Sequence, residues 1–300
     1  MLYISVHILV GLVSGLFSVF ATPAWGQDSA AIQRGTLVFQ AAGGCSCHTD
    51  VKRSGPFMAG GRPIKTPFGT FYSTNITPAP RTGLGTWSEA DFLQAMTQGS
   101  GPNASHYFPV FPYTAFTYMS VDDVRDLKAY LFSLPPVERD NTPHDLSFPF
   151  NWRWPLLFWK WLFFRPGPWQ PQPAQSPEWN RGAYLSTALS HCAECHTPRN
   201  RFGALQQRLA YAGTVDGPEG ELAPNITPDP ETGIGNWSVA DMVWYLQTGL
   251  KPDGDDTQGL MSEVIEHGYK HLPEQDLRAI AVYLRTLPPL RNKVVKPKQS

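Results

Sequence analysis

The sequence has no excess of charge of either sign. Its 300 residues contain 24 Lys and Arg against 25 Asp and Glu, a formal net charge of −1. Proteins that bind nucleic acids neutralise phosphates with an excess of basic side chains. The charge balance therefore argues against a nucleic-acid-binding protein.

Cysteine is scarce, with four residues in the chain. The cysteines of a disulfide framework are spread along the sequence to close long loops. Here they lie in two short clusters, G-G-C-S-C-H-T at residues 43–49 and H-C-A-E-C-H-T at residues 191–197, and each cluster contains a Cys-His pair. This distribution favours a cofactor site over disulfides.

Charged side chains are missing from residues 2–22, which form an apolar run. Ala24 and Gly26 then supply small residues before Gln27, which is typical of a signal-peptide cleavage site. We therefore predict a signal peptide over residues 1–26 and a periplasmic protein, with association with the inner membrane left open. The alternative is an uncleaved anchor helix, since the run is nearly long enough to span a bilayer.

Three blocks of sequence occur twice and in the same order. R-G-T-L-V-F-Q begins at Arg34 and R-G-A-Y-L-S-T at Arg181, N-I-T-P begins at Asn75 and Asn225, and Y-L-x-x-L-P-P ends both series. Such repetition indicates two copies of one domain. The predicted organisation is domain 1 at residues 27–139, a linker at 140–176, domain 2 at 177–291 and a basic tail at 292–300.

The sequence of each copy indicates three helices and shows no sustained alternation typical of strands. The first helix leads into the Cys-His cluster, the second begins after a Ser N-cap (Ser88 or Ser238), and the third ends before Pro-Pro. Apolar residues recur at helical spacing in the second and third segments. The predicted fold class is all-α, with two tandem domains that each need a large buried group to complete a thin core.

Residues 192–196 read C-A-E-C-H, the attachment signature of c-type haem. Residues i and i+3 of a helical turn share a face, so Cys192 and Cys195 can form thioethers with one haem while His196 binds its iron. The alternative is a zinc or redox pair followed by an unrelated His.

The first cluster is shorter, because only Ser46 separates Cys45 from Cys47. Both Cys45 and Cys192 follow their Arg by eleven positions, which predicts that the missing residue lies between Cys45 and Cys47. We predict a second haem here, with His48 on the iron and attachment through Cys47; attachment of Cys45 is left open. A Cys45–Cys47 disulfide or an empty site are the alternatives.

A Met opposite the His would complete each iron and suits electron transfer. Met261, predicted to lie in a loop, is the candidate of the second copy, whereas Met242 falls on an apolar helix face. Met119, directly before the third helix, is the candidate of the first copy, with His106 as an alternative.

Long phrases carry a family resemblance: C-A-E-C-H-T-P-R-N, T-P-F-G-T-F-Y-S-T-N-I-T-P, F-P-Y-T-A-F-T-Y-M-S and G-P-E-G. In these phrases the sequence resembles the c-type cytochrome subunits of membrane-associated alcohol, aldehyde and gluconate dehydrogenases of bacteria. The resemblance implies class I cytochrome c domains that receive electrons from a dehydrogenase catalytic subunit and pass them to a quinone or another cytochrome. The sequence departs from the family pattern in two ways. It has two haem domains where many members have three, and it has Phe111 where some members have Met.

Residues 148–169, from Phe148 to Trp169, contain five tryptophans. Aromatic side chains bury large areas, which favours a clamp between the two domains; contact with a dehydrogenase or a membrane surface is the alternative. Taken together, the sequence predicts an exported carrier with two haem c groups and no catalytic residues of its own. The alternative is a haem enzyme, a peroxidase or an oxidase of small sulfur compounds, that uses an open first haem.

Overall fold

The computed structural model describes residues 28–296; the predicted signal segment lies outside the described residues. Helices make up 43% of the structure. The α-helices are α1 (Ser29–Ala41), α2 (Glu89–Gln98), α3 (Tyr113–Phe116), α4 (Val121–Ser133), α5 (Pro155–Phe163), α6 (Pro177–Tyr184), α7 (Cys192–His196), α8 (Val239–Thr248), α9 (Gly259–His267) and α10 (Glu274–Leu284). Three short strands, β1 (Pro63–Thr66), β2 (Gly69–Tyr72) and β3 (Asp145–Leu146), form an antiparallel sheet in the order β1-β2-β3.

The three helices predicted in each copy are confirmed. Ser88 caps α2 and Ser238 caps α8, each in a reciprocal capping box with the Asp three residues later. Ser120 caps α4 through the backbone N–H of Asp123. These helix starts could be predicted from the sequence because each is capped by a nearby side chain.

The first and third helices of each copy pack at a glycine. A Cβ on Gly35 would lie 1.9 Å from the carbonyl oxygen of Asp126 in α4, and one on Gly182 would lie 1.9 Å from that of Ala279 in α10. The absence of a side chain lets the two backbones approach closely. Next to each glycine an Arg pairs with an acid of the opposite helix, Arg34 with Asp126 and Arg181 with Asp276.

The small sheet is a difference from the predicted all-α class. A two-residue turn after Thr66 joins β1 to β2, and the hydroxyl of Thr66 donates to the carbonyl of Gly69 at 2.9 Å. Strands of two to four residues are too short to show a period-2 alternation in the sequence, which is why the pattern gave no indication of them.

The predicted loop around Met261 is wrong, because Met261 lies in α9. No side chain of the preceding residue caps this helix. Instead, the backbone N–H of Leu260 donates to Oε2 of Glu221, 39 residues away in sequence, at 2.8 Å. A cap supplied by a distant residue is not visible as a local sequence signal.

The buried apolar residues form one core cluster that draws on both copies. It includes Val38 and Leu127 from the first copy and Leu185 and Leu277 from the second. Within residues 28–296, none of the helices is long and apolar enough to cross a membrane.

Candidate cofactor-binding site

The second Cys-His cluster forms the short helix α7. His191 precedes it in the left-handed region, at a φ of 40°, and Thr197 follows in extended conformation. Because α7 is helical, Cys192 and Cys195 are one turn apart and share a face. His196 at its end is buried, with 8% of its surface exposed.

The first cluster adopts a tighter and irregular turn. Residues Gly43–His48 form a 3₁₀ segment in which Gly44 and Cys45 have positive φ angles of 65° and 45°. Gly43 is also left-handed, at a φ of 67°. Two glycines supply most of this conformation at little steric cost, whereas Cys45 adopts it against the preference of a side-chain-bearing residue.

The two histidines are held in the same way. Nδ1 of His48 lies 2.7 Å from the carbonyl oxygen of Thr74, and Nδ1 of His196 lies 2.7 Å from that of Pro224. A carbonyl only accepts, so Nδ1 carries the proton and the lone pair of Nε2 is free to bind a metal. Burial lowers the pKa of both imidazoles, although the bond to the carbonyl works against it, and the neutral, metal-binding form is favoured.

Sequence reasoning did not single out Thr74 or Pro224. They stand one residue before the repeated Asn of N-I-T-P, and that Asn organises the loop: Asn75 accepts from the backbone N–H of Thr77, and Asn225 accepts from that of Thr227. The repetition of this phrase was the available signal. It did not show that the preceding carbonyl faces a histidine.

A π-turn changes how the two clusters correspond. Gly35 and Gly182 occupy the same place in their helix pairs and are 147 positions apart, whereas His48 and His196 are 148 apart. The additional residue lies in the π-helical turn Leu185–Leu189, where Ser190 N–H donates to the carbonyl of Leu185, five residues back. In the first copy the equivalent bond, from Ala42 to Val38, spans four residues.

The position that matches Cys192 is therefore Gly44, since each lies four residues before its histidine. Cys47 matches Cys195, and Cys45 matches Ala193. The sequence count that placed the missing residue between Cys45 and Cys47 is wrong, because the extra residue lies upstream in the second copy. The first cluster keeps the second cysteine and the histidine of the signature and has glycine in place of the first cysteine.

All four thiols are free in the structure. Burial raises the pKa of Cys45, Cys192 and Cys195 to about 12 each. Desolvation also raises the pKa of the Cys47 thiol. The positive charge of the neighbouring Arg62 guanidinium opposes this increase without cancelling it. Within the described part of the chain, no three His, Cys, Asp or Glu side chains are placed to hold a metal ion by themselves, so the zinc alternative gains no support.

The two candidate methionines differ in their surroundings. Met119 is 2% exposed and belongs to the core cluster, at the end of the turn that joins α3 to α4. Met261 is partly exposed and packs against the same cluster. Phe111 packs on Phe116 with ring centroids 5.6 Å apart. His106, the alternative ligand for the first haem, has its Nδ1 3.1 Å from Nζ of Lys160, so this ring nitrogen already has a partner.

The two attachment segments are neighbours in space. The hydroxyl of Ser190, just before α7, donates to the carbonyl of Ala41 at 2.9 Å. Helix α9 of the second copy packs against the first cluster. A Cβ atom added to Gly43 would contact Val264, and one added to Gly44 would collide with the carbonyl of His267. Burial raises the pKa of the Cys195 thiol, and the nearby Cys47 thiol of the first cluster raises it further. This interaction is a further sign that the two clusters lie close together.

An ion cluster centred on the buried Arg62 joins the copies beside Cys47. Arg62 of the first copy is 4% exposed. Its Nε donates to Oε1 of Glu219 at 2.7 Å and its Nη2 to Oε1 of Glu263 at 3.1 Å, both in the second copy. Two carboxylates around one guanidinium satisfy its donors and fix the position of the first attachment segment against the second copy.

Comparison with known proteins agrees with this geometry. The chain is 43% identical over 259 residues to a dihaem c-type cytochrome of Cereibacter sphaeroides, covering 85% of each chain. It is 40% identical to the fructose dehydrogenase cytochrome subunit of Gluconobacter japonicus, over 86% of this chain and 52% of the relative. It is 36% identical to the gluconate 2-dehydrogenase cytochrome c subunit of Pantoea cypripedii, over 93% of this chain and 64% of the relative.

The chain belongs to this family of c-type cytochromes. No protein-family model matches it. The chain spans about half to two thirds of the length of these two dehydrogenase subunits, and it matches the dihaem cytochrome over most of both chains.

The residues of both clusters fit the haem of a c-type cytochrome. The second cluster offers two thiols one helical turn apart and an imidazole with a free Nε2. The first offers the same oriented imidazole with Cys47 next to it. Cysteine thiols for thioethers and a neutral imidazole for iron are the donor set that haem c requires.

Proposed function

We propose that the chain is an exported dihaem cytochrome c that passes single electrons from a dehydrogenase catalytic subunit to a quinone or cytochrome acceptor. The observation that carries the proposal is that two Cys-His segments, each with its histidine oriented by a carbonyl, lie next to each other. The names of the relatives support a carrier that works in a dehydrogenase complex.

In this proposal residues 27–139 and 177–291 are two class I cytochrome c domains joined by the segment at 140–176. Cys192, Cys195, His196 and Met261 would hold the second haem. His48, Cys47 and Met119 would hold the first. Haem iron supplies reversible one-electron oxidation and reduction.

The protein's part is to fix the two groups close together. His196 is buried, with 8% of its surface exposed, and a low-dielectric surrounding with an additional Met ligand raises the tendency of haem iron to accept an electron. The contact of α9 and Ser190 with the first cluster keeps the separation between the two sites short. A short, fixed separation is what transfer between two groups within one chain requires.

Intact-mass and visible spectra of the natively matured holoprotein test this proposal. We expect a mass increase of two haems per chain and, on reduction, a low-spin spectrum from both. In the mature protein the mass also locates the N-terminus, which we expect at Gln27. A colourless protein with four alkylatable thiols would refute the proposal, and a persistent high-spin component would indicate an open first haem.

A further inference from the structure

The turn between α3 and α4, which carries Met119, is held by elements outside the first copy. The backbone N–H of Gly167 donates to the hydroxyl of Thr117 at 3.1 Å, and Thr117 is only 3% exposed. The backbone N–H of Trp169 donates to the carbonyl of Tyr118, also at 3.1 Å. Both donors belong to the segment that joins the two copies, so the turn does not depend on the first copy alone.

The end of this turn is held by a tyrosine of the second copy. The backbone N–H of Ser120 donates to the phenol oxygen of Tyr184 at 3.0 Å, and the Tyr184 hydroxyl donates to a carboxylate oxygen of Asp123. Tyr184 is the last residue of α6, directly before the π-turn that leads to α7. One hydroxyl therefore connects the start of α4 to the element that leads into the second attachment site.

The same capping pattern closes without a third residue elsewhere in the chain. At α2 and α8 the N–H of the capping serine donates directly to the aspartate three residues later, at 2.9 and 2.8 Å. Ser120 and Asp123 have the same spacing, but the hydroxyl of Tyr184 stands between them. Because a capping box needs only its own two side chains, α4 does not require Tyr184 for its cap, and the insertion of Tyr184 needs another explanation.

The segment before the turn also contacts the second copy. Oγ1 of Thr114 donates to Oε1 of Glu194, which lies inside α7, at 2.5 Å. The ring of Phe116 packs edge to face on His191, with centroids 5.4 Å apart. The segment that leads to Met119 is therefore fixed by the second copy both before and after the turn.

We propose that Tyr184 is a positioning residue for the first haem and that, from the second copy, it holds the turn that presents Met119 to the iron. The proposal rests on the proposed function, in which Met119 completes the first site. Met119 is 2% exposed and precedes Ser120 directly, so a shift of the Ser120 backbone also moves Met119. The thioether of methionine is a weak acceptor, and its place on a metal depends on how firmly the protein holds it. The first site is then complete only while the second copy is docked against it.

Carbon monoxide binding to the reduced holoprotein tests the proposal. Carbon monoxide must displace the methionine to bind the iron, so its affinity measures how firmly each methionine is held. We expect Tyr184→Phe to bind carbon monoxide at the first haem about tenfold more tightly, because hydrogen bonds to a charged group contribute about that much to an equilibrium constant. The affinity at the second haem should not change. The variant should fold, since Asp123 can then accept directly from Ser120.

Two methionine variants assign the measurements to the two haems. The ring current of a porphyrin shifts the methyl protons of a bound methionine far upfield in the proton NMR spectrum of the reduced protein. Met119→Ala should remove the resonance of the first haem, and Met261→Ala should remove that of the second. In Tyr184→Phe the resonance of Met119 should broaden while that of Met261 stays as in the wild type.

Tyr283→Phe is the matched control. It removes a tyrosine hydroxyl from the second copy, where the ring packs on Trp179 with centroids 5.3 Å apart, and it should leave both carbon monoxide affinities unchanged. Thr117→Val is a second test variant, because it removes the hydroxyl that accepts from Gly167. It should raise the affinity of the first haem as Tyr184→Phe does.

Three results would overturn the proposal. The first is a wild-type carbon monoxide affinity of the first haem in both Tyr184→Phe and Thr117→Val, because the turn would then hold Met119 by itself. The second is an equal change at both haems, which indicates a general loosening of the protein. The third is a Met119→Ala variant that keeps both methionine resonances, since Met119 is then not the ligand. In that case two haems in the intact mass would still support the proposed electron carrier.

Discussion

A backbone carbonyl decides which nitrogen of each histidine is available. With Nδ1 held by Thr74 or Pro224 at 2.7 Å, the ring cannot rotate freely and Nε2 points away from the carbonyl. Such a second partner fixes the tautomer and raises the basicity of a ligating imidazole. The two copies share this device even though their cysteines differ, so at the residue scale the histidine is the constant feature of the two sites.

Replacing the cysteines of the first cluster one at a time tests their roles. We expect Cys45→Ala to keep two covalent haems, because the position that matches Cys192 is Gly44. Cys47→Ala should retain one, since Cys47 matches Cys195 and adjoins His48. Intact mass under denaturing conditions reports the number of attached haems; a loss of one haem from Cys45→Ala would contradict the assignment.

The count along the sequence gave the wrong match for Cys45 for a physical reason. A π-turn inserts a residue into a helix while the helix continues in the same direction. The residues Leu185–Leu189 have no composition that distinguishes this turn from an α-helical one. Only the shared contacts of Gly35 and Gly182, fixed in three dimensions, show where the extra residue lies.

At the scale of elements, the contact between the first and third helices sets the frame of each copy. α1 meets α4 and α6 meets α10 at a glycine, with an Arg–Asp pair beside it. These pairs hold the start of each Cys-His segment, because α1 leads directly into residues 43–48 and α6 leads through the π-turn into α7. Separation of the helices would therefore move the haem attachment residues.

Gly35→Ala should separate α1 from α4. The added Cβ would lie 1.9 Å from the carbonyl of Asp126, so the helices must move apart, and we expect the free energy of unfolding to fall by about 3 kcal/mol. Urea denaturation of the holoprotein measures this. Gln33→Ala, at an exposed position of the same helix, should change stability by less than about 0.5 kcal/mol, and equal stability of the two variants would refute the packing argument.

The helices that were predictable are those whose signals are local. α2, α4 and α8 begin at serines that cap them through residues three positions away, and their apolar spacing is regular. α9 depends on Glu221 from another loop. Helix α5 begins at a proline and lacks a side-chain cap. Its aromatic composition indicated burial, whereas Phe158 and Trp161 are 61% and 75% exposed.

At the scale of the whole molecule, an ion cluster joins the two copies next to the first site. Arg62 is buried between the copies, its partners Glu219 and Glu263 are 11% and 25% exposed, and Lys52 lies 3.4 Å from Glu219 at the edge. The repeat in the sequence predicted two similar units, but it contained no signal for this cluster, because Arg62 and its two acids are far apart in sequence and belong to different copies. Their charges also act on the Cys47 thiol, and therefore on any group bound beside it.

Arg62→Gln should weaken the junction and change the first site. The variant leaves the carboxylates of Glu219 and Glu263 without the buried cation that pairs with them. Removing one partner of a buried pair costs up to about 3–5 kcal/mol, so we expect a lower urea midpoint. Loss of a positive charge beside Cys47 also favours the oxidised, more positive state of iron, so the reduction potential of the first haem should fall while that of the second changes less. Arg278→Gln, which breaks the exposed pair with Glu178, is the control that should alter neither quantity. A spectroelectrochemical titration measures both reduction potentials. Removing a charge that lies next to the first haem must change the potential of its iron. If Arg62→Gln leaves both potentials unchanged, the cluster acts on stability alone and the predicted effect on the first site is wrong.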